Sequence, residues 1–299
     1  MSHDATVLKH TAIIYAVIFG VGITLTLLFR KTNWGRNMLV ATLSWFVLLV
    51  VFVGASFAGY PAFTLLIALI AGLAVREYYV MNGVDKPAAL VAAVLLVAAL
   101  AATIVADKPE LFYFMPVAAG LVFFAIQLFG ASPKGANRNA AIQYTGLMYW
   151  GWLWLHFALL HRLEHGFGYV VLICSLVALN DNSAYFAGKL LGKNSPKLAP
   201  RISPGKTWTG TLGGSIATFG AAFLFWYAVP HLSFAKLAGL ALLVAGVIPV
   251  GDLIESAMKR DAGVKDSGKL IPGHGGAMDR FDSCTFTVPI VYYYIMFVV

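Results

Sequence analysis

Ala88-Ala89-Leu90-Val91-Ala92-Ala93-Val94-Leu95-Leu96-Val97-Ala98-Ala99-Leu100-Ala101-Ala102-Thr103-Ile104-Val105-Ala106 contains no charged residue and one hydroxyl, Thr103. A helix of about 20 such residues crosses the roughly 30 Å hydrocarbon core of a bilayer. Runs of this kind recur along the whole chain. Ten are read at about 8–29, 39–55, 59–79, 88–106, 111–130, 139–160, 168–190, 210–229, 233–256 and 281–299. The first is not read as a cleavable signal peptide. It is too long, follows His3 and Asp4 rather than a basic stretch, and lacks a clear small-residue cleavage site.

Composition agrees with these runs. Of 299 residues, 60% are hydrophobic and 11% charged, with a mean hydropathy of +0.80. Soluble domains carry about 25% charged residues, so this chain needs a second apolar solvent. Disordered chains, disulfide scaffolds and polar DNA-binding domains are excluded. Cys174 and Cys284 lie in apolar runs without metal-ligand spacing and read as buried thiols. The fold class expected is an all-α, polytopic integral membrane protein with about ten transmembrane helices, nine being the alternative count, and no separate soluble domain.

Charge placement sets an expected orientation. With the N-terminus outside, 17 of the 21 basic residues fall in inside loops, and only Lys9, Lys108, Arg162 and Lys236 lie outside. The positive-inside rule then holds at every loop. The net charge of +8 therefore reads as topology rather than nucleic-acid binding, and the cell (inner) membrane is the expected location. Residues 1–165 read as transmembrane scaffold. Residues 166–299 read as the catalytic region, with two cytoplasmic loops at 191–209 and 257–280 that hold most of the Lys, Asp and Gly clusters.

Carboxylates within a span are the first chemical signal, because an ionised group there needs a partner. Asp181 and Asp252 are two such residues. Asp252, Ser256 and Lys259 follow helical spacing and share one face. Downstream, Lys259, Arg260, Lys265, His274-Gly275-Gly276, Asp279, Arg280 and Asp282 combine basic groups, glycines and carboxylates where the last helix begins. Glycines admit backbone N–H groups to phosphate oxygens, and a helix N-terminus adds partial positive charge. Carboxylates at Asp252, Asp279 and Asp282 would repel one another without a cation between them. Mg²⁺ suits one or two carboxylates completed by substrate phosphates.

The other loop carries Ser203-Pro204-Gly205-Lys206-Thr207-Trp208. It is not a Walker A loop, since Pro200 stands where the first glycine is required and no strand is expected before it. It reads as a basic, Pro-stiffened segment suited to a triphosphate, or as an interfacial Trp with topogenic lysines. Ala184, Gly188, Gly192, Gly210, Gly213 and Gly214 read as close helix packing. His156, His161, His165, Trp150, Trp152 and Trp154 read as structural or interfacial.

Ser256-x-Met258-Lys259-Arg260-x4-Lys265-Asp266-x-Gly268-x2-Ile271-Pro272-x-His274-Gly275-Gly276-x2-Asp279-Arg280-Phe281-Asp282 resembles the signature of phosphatidate cytidylyltransferases, also called CDP-diacylglycerol synthases. Asp181-x2-Ala184-Tyr185-x2-Gly188-x3-Gly192 and Ser203-Pro204-x-Lys206-Thr207-Trp208-x-Gly210 are similar to further segments of that family. The resemblance covers residues 175–290. The chain departs from the usual pattern at Ala277, Gly205 and Thr209.

The resemblance implies condensation of CTP with phosphatidate, or a related lipid phosphate, to a CDP-lipid and pyrophosphate, with a homodimer as the implied assembly. It implies Mg²⁺ on Asp252 and Asp279, helped by Asp282, and phosphate contacts from Lys259, Lys265 and Arg280. Ser256 and His274 would position phosphates. Ser203, Lys206 and Thr207 would bind the triphosphate, Arg260 is a further substrate-binding position, and Asp181 would serve a second cation. The rivals are a lipid kinase and a cation-coupled transporter using Asp181 and Asp252 as an ion relay.

Overall fold

The computed structural model describes residues 2–28, 33–129, 134–268 and 275–299. Its elements are helices in the positions of the apolar runs. They are α1 (His3–Leu28), α2 (Asn33–Phe57), α3 (Tyr60–Met81), α4 (Pro87–Val105) and α5 (Pro109–Leu128). Then follow α6 (Ala136–Gly146), a π-helical segment Leu147–Leu153 and α7 (Trp154–Arg162), which together form one helical run. The second half holds α8 (Gly166–Leu191), α9 (Trp208–Leu224), α10 (Phe234–Asp261) and α11 (Met278–Val298). Pro at the first or second position starts α3, α4 and α5, where a missing N–H costs nothing.

Among the described residues, seven helices are long and apolar enough to cross a membrane: α1, α3, α4, α5, α8, α10 and α11. The protein is an integral membrane protein. The expected count of ten reduces to seven by this measure for local reasons. Of α2, Thr42–Phe57 counts as a shorter apolar helix among the described residues, the sixth run is divided by its π segment, and α9 has 17 residues.

One element was not expected. Residues Lys197–Ala199 (β1) and Ser203–Thr207 (β2) pair as an antiparallel hairpin, with Lys197 opposite Thr207 and Ala199 opposite Ser203. Lys206 and Thr207 thus lie on a strand, although the sequence offered no strand there. The Thr207 side chain then accepts from the Gly210 backbone N–H and caps α9.

Small residues set the α8–α9 crossing. A Cβ on Gly210 would lie 2.8 Å from the Ala184 carbonyl oxygen, and one on Gly213 would overlap the Ala187 side chain. Backbones approach there because neither position has a side chain. Next to this crossing, Pro249 interrupts α10 and cannot donate to the Ala245 carbonyl. Ser215 of α9 donates to that oxygen instead, at 3.1 Å.

The core lies mainly between α3, α7, α8 and α11. Trp150 and Trp154 are buried in it, and Trp154 Nε1 donates to Ile67 O at 3.1 Å. His156 is buried between Trp152 O and the Tyr293 hydroxyl, which makes it structural. Cys174 and Cys284 are free and buried. Filling the α8–α9 contact tests its role. Gly213→Val should cost about 1–3 kcal/mol by overpacking, seen as a lower Tm in detergent. Gly246→Ala, with nothing within 4 Å of the added carbon, should not lower it.

Candidate active site

The ends of α3, α8, α10 and α11, with the hairpin, bring most of the sequence-predicted residues to one end of the bundle. A cavity of about 430 Å³ is lined there by Asp181 and Tyr185 of α8, Lys206 of β2, Gly210 of α9, and Pro249 and Asp252 of α10. Lys206 Nζ meets Asp252 Oδ2 at 2.5 Å. The first turn of α9, whose N–H groups are capped by Pro196 O, Ser195 Oγ and Thr207 Oγ1, also faces this space, so the positive end of its dipole and Lys206 lie along one wall.

Behind this wall the carboxylates crowd together. Ser283 Oγ lies 3.5 Å from Asp181 Oδ1 and 3.3 Å from Asp282 Oδ1. Asp252 repels both of these carboxylates electrostatically. Ser256 Oγ reaches Asp252 Oδ1 at 3.5 Å, as the shared helix face required. Arg280 acts on Asp282, Asp279 and Asp181 as their nearby positive charge.

A second cluster continues from the first. Lys259 Nζ lies 2.7 Å from Glu255 Oε2 and 2.6 Å from Asp279 Oδ1. Lys259 therefore turns to Glu255 and Asp279 rather than to Asp252. Asp279 Oδ2 accepts from Ser267 N at 2.9 Å, Ser267 Oγ at 2.9 Å and Gly276 N at 2.7 Å.

The remaining predicted residues lie outside these clusters. Arg260 donates to Ile202 O at 3.3 Å and Val264 O at 3.1 Å, tying α10 to the hairpin turn. Lys265 is exposed beyond α10, and Ser203 sits on β2 outside the cavity wall. Thr207 lines the cavity, but its hydroxyl caps α9. His274 lies outside the described residues.

Three residues without a role in the sequence reading join the site. Glu255 is 0% exposed, and its Oε1 has no hydrogen-bond partner among the described residues. Its four-residue spacing to Lys259 was the available signal. The buried Tyr149 hydroxyl, on the π-helical segment, also lacks a partner among the described residues. Asp282, Glu255 and Asp252 all act on it electrostatically. Glu77 of α3 accepts from Ala277 N and Met278 N, each at 3.0 Å. An acidic residue in an apolar run marks it, as it marked Asp181.

No group of three or more His, Cys, Asp or Glu side chains is arranged to hold a metal ion among the described residues. Asp252 and Asp279 each hold a lysine ammonium instead. Carboxylate oxygens are the ligand type that Mg²⁺ takes, usually with substrate oxygens completing its shell. Removing Lys259 would leave Glu255 and Asp279 buried without their cation. Lys259→Met should destabilise the protein by about 3–5 kcal/mol, and adding Glu255→Gln should recover part of that loss. Melting curves of the single and double variants check both statements.

Known proteins resemble this chain over most of its length. The Cytidylyltransferase family model matches residues 39–298. Uncharacterized protein YnbB of Escherichia coli is 36% identical over 243 residues, covering 77% of this chain and 78% of that protein. A phosphatidate cytidylyltransferase of Synechocystis is 37% identical over 270 residues, covering 78% of this chain and 88% of that protein. Another from Haemophilus influenzae is 42% identical over 147 residues, and there the match spans 46% of this chain and 49% of the relative. The aligned reach of the family model, from α2 to α11, takes in every carboxylate and lysine of the two clusters, and the chain belongs to the cytidylyltransferase family.

Proposed function

We propose that the protein transfers the cytidylyl group of CTP to phosphatidate, giving CDP-diacylglycerol and pyrophosphate in phospholipid synthesis. The single observation that carries this reading is the Lys206–Asp252 pair on the wall of a cavity that also holds Asp181 and the first turn of α9. Such a wall offers cationic and dipolar groups to a triphosphate and carboxylates to its counter-cation. The Synechocystis relative, named phosphatidate cytidylyltransferase and matched over 88% of its length, supports phosphatidate as the acceptor.

The chemistry asks little of a general base. A phosphate monoester has a second pKa near 6, so the lipid phosphate is already anionic at neutral pH. One of its oxygens attacks the α-phosphorus of CTP, the bond to the β-phosphate oxygen breaks, and pyrophosphate leaves with that electron pair. The protein's work is in-line positioning and neutralisation of charge. Lys206 and the α9 N-terminus hold the triphosphate, assisted by Ser203 and Thr207. Lys259, Arg280 and Lys265 take phosphate oxygens, with Arg260, Ser256 and His274 positioning them.

Mg²⁺ would be held by Asp252 and Asp279, helped by Asp282, and would supply Lewis-acid charge to the phosphates. Asp181 serves a second cation. Each lysine that now pairs with a carboxylate is thereby available to a phosphate. The site faces the cytoplasm of the inner membrane, supported by the 17 basic residues that the orientation places inside. A homodimer is the proposed assembly.

A second acceptor is favoured by one observation: the chain departs from the usual family pattern at Gly205, in the hairpin beside the cavity, and at Thr209, in the first turn of α9. A related lipid phosphate would then replace phosphatidate in the same site. Purified protein should release pyrophosphate from CTP with Mg²⁺ only when a lipid phosphate is present. A panel of lipid phosphates identifies the acceptor, and release of a nucleoside diphosphate would indicate a kinase instead. Asp252→Asn and Asp279→Asn should each lower turnover by about 100-fold or more. Near-normal turnover in either folded variant rejects its assignment to Mg²⁺.

A further inference from the structure

Glu77 belongs to a helix that the sequence reads as scaffold, yet among the described residues its carboxylate accepts from the signature region. It is 8% exposed. Oε1 accepts from Ala277 N, while Oε2 accepts from Met278 N and from Ser267 Oγ at 3.1 Å. Ala277 and Met278 begin α11, and Ser267 precedes residues 269–274 in the chain. One carboxylate therefore holds two separate stretches of the signature, at Ser267 and at Ala277–Met278. The Ser267 hydroxyl also reaches Asp279 Oδ2 at 2.9 Å, so Glu77 and Asp279 share a ligand.

The glycines next to those two stretches are explained by the same carboxylate. A Cβ on Gly268 would lie 2.8 Å from Glu77 Oε1, and one on Gly276 would overlap Oε2. These two positions make room for Glu77 rather than for a substrate. Among the described residues the donors to Glu77 are neutral, and the first turn of α11 supplies partial positive charge. Both oxygens are needed as acceptors. An amide in this position would turn an N–H₂ group toward a backbone N–H.

We propose that Glu77 is a positioning residue for nucleotidyl transfer. It fixes the start of α11 and Ser267 so that Asp279 and its partner Lys259 face the reacting phosphates. Glu77 itself touches no reacting atom. The assignment rests on the reaction proposed above, and it makes α3 part of the catalytic apparatus.

The test compares Glu77→Gln, Glu77→Asp and Gly276→Ala in detergent-purified full-length protein, with Tm, kcat and KM for CTP measured on each. Glu77→Gln should remain folded and lose kcat by about 10- to 100-fold, with a smaller change in KM. Gly276→Ala should show a loss of the same kind, because its methyl displaces the carboxylate. The double variant Glu77→Gln/Gly276→Ala should lose no more than the worse single one. Hydrogen exchange provides a readout that needs no substrate. Amides of residues 275–280 should exchange at least about 10-fold faster in Glu77→Gln than in the unsubstituted protein. Wild-type kcat in folded Glu77→Gln, multiplying losses in the double variant, or unchanged exchange would overturn the assignment. An unsubstituted chain that makes no CDP-lipid overturns the reading of the reaction instead, and the exchange result still reports on the contact.

Discussion

Charge placed inside an apolar bundle has to be neutralised there, and Lys259 is where this requirement is met most tightly. It stands between Glu255, which is wholly buried, and Asp279, at 2.7 and 2.6 Å. Water cannot screen these groups, so leaving either carboxylate alone would be costly. Lys206 does the same for Asp252 at the cavity wall. The end of α10, the start of α11 and the hairpin are held in register by these pairs. A charged substrate with its own counter-cation can exchange with them without leaving net charge uncompensated.

The helical frame follows from this economy of charge. Apolar runs carry the chain across the bilayer, and several of the polar groups within them meet a partner. Ser215 takes the carbonyl that Pro249 frees. At the opposite end of the bundle, Arg162 joins Ile104 O and Asp107. The site end is held by ion pairs and carboxylate–amide bonds. The α8–α9 crossing relies on missing side chains at Gly210 and Gly213.

Much of this was legible in the sequence. Hydropathy alone located every helical run, because a bilayer requires length and apolarity in one stretch. Helical spacing placed Asp252 with Ser256, and carboxylate position marked Asp181. The β1–β2 hairpin was not legible, since its strands are short and rich in Pro and Gly, with no alternating apolar pattern. Lys259's partners were not legible either. Asp279 comes from another helix, and the four-residue spacing of Glu255 to Lys259 did not by itself choose it over Asp252 and Ser256 on the same side of α10. Glu77 and Tyr149 reach the site from the first half of the chain, where a single polar residue in an apolar run carries little pattern. A division at residue 165 describes where motifs occur, whereas the packing draws on both sides of it.

The central claim is that these paired charges serve transfer of a nucleotidyl group rather than a terminal phosphoryl group or an ion. Position-specific labelling of the nucleotide tests it most directly. With CTP labelled at the α-phosphate, incubation with phosphatidate and Mg²⁺ should place label in the lipid. With CTP labelled at the γ-phosphate, the label should leave entirely in pyrophosphate. Appearance of the γ-label in lipid, or of no label in lipid from either nucleotide, would contradict the account.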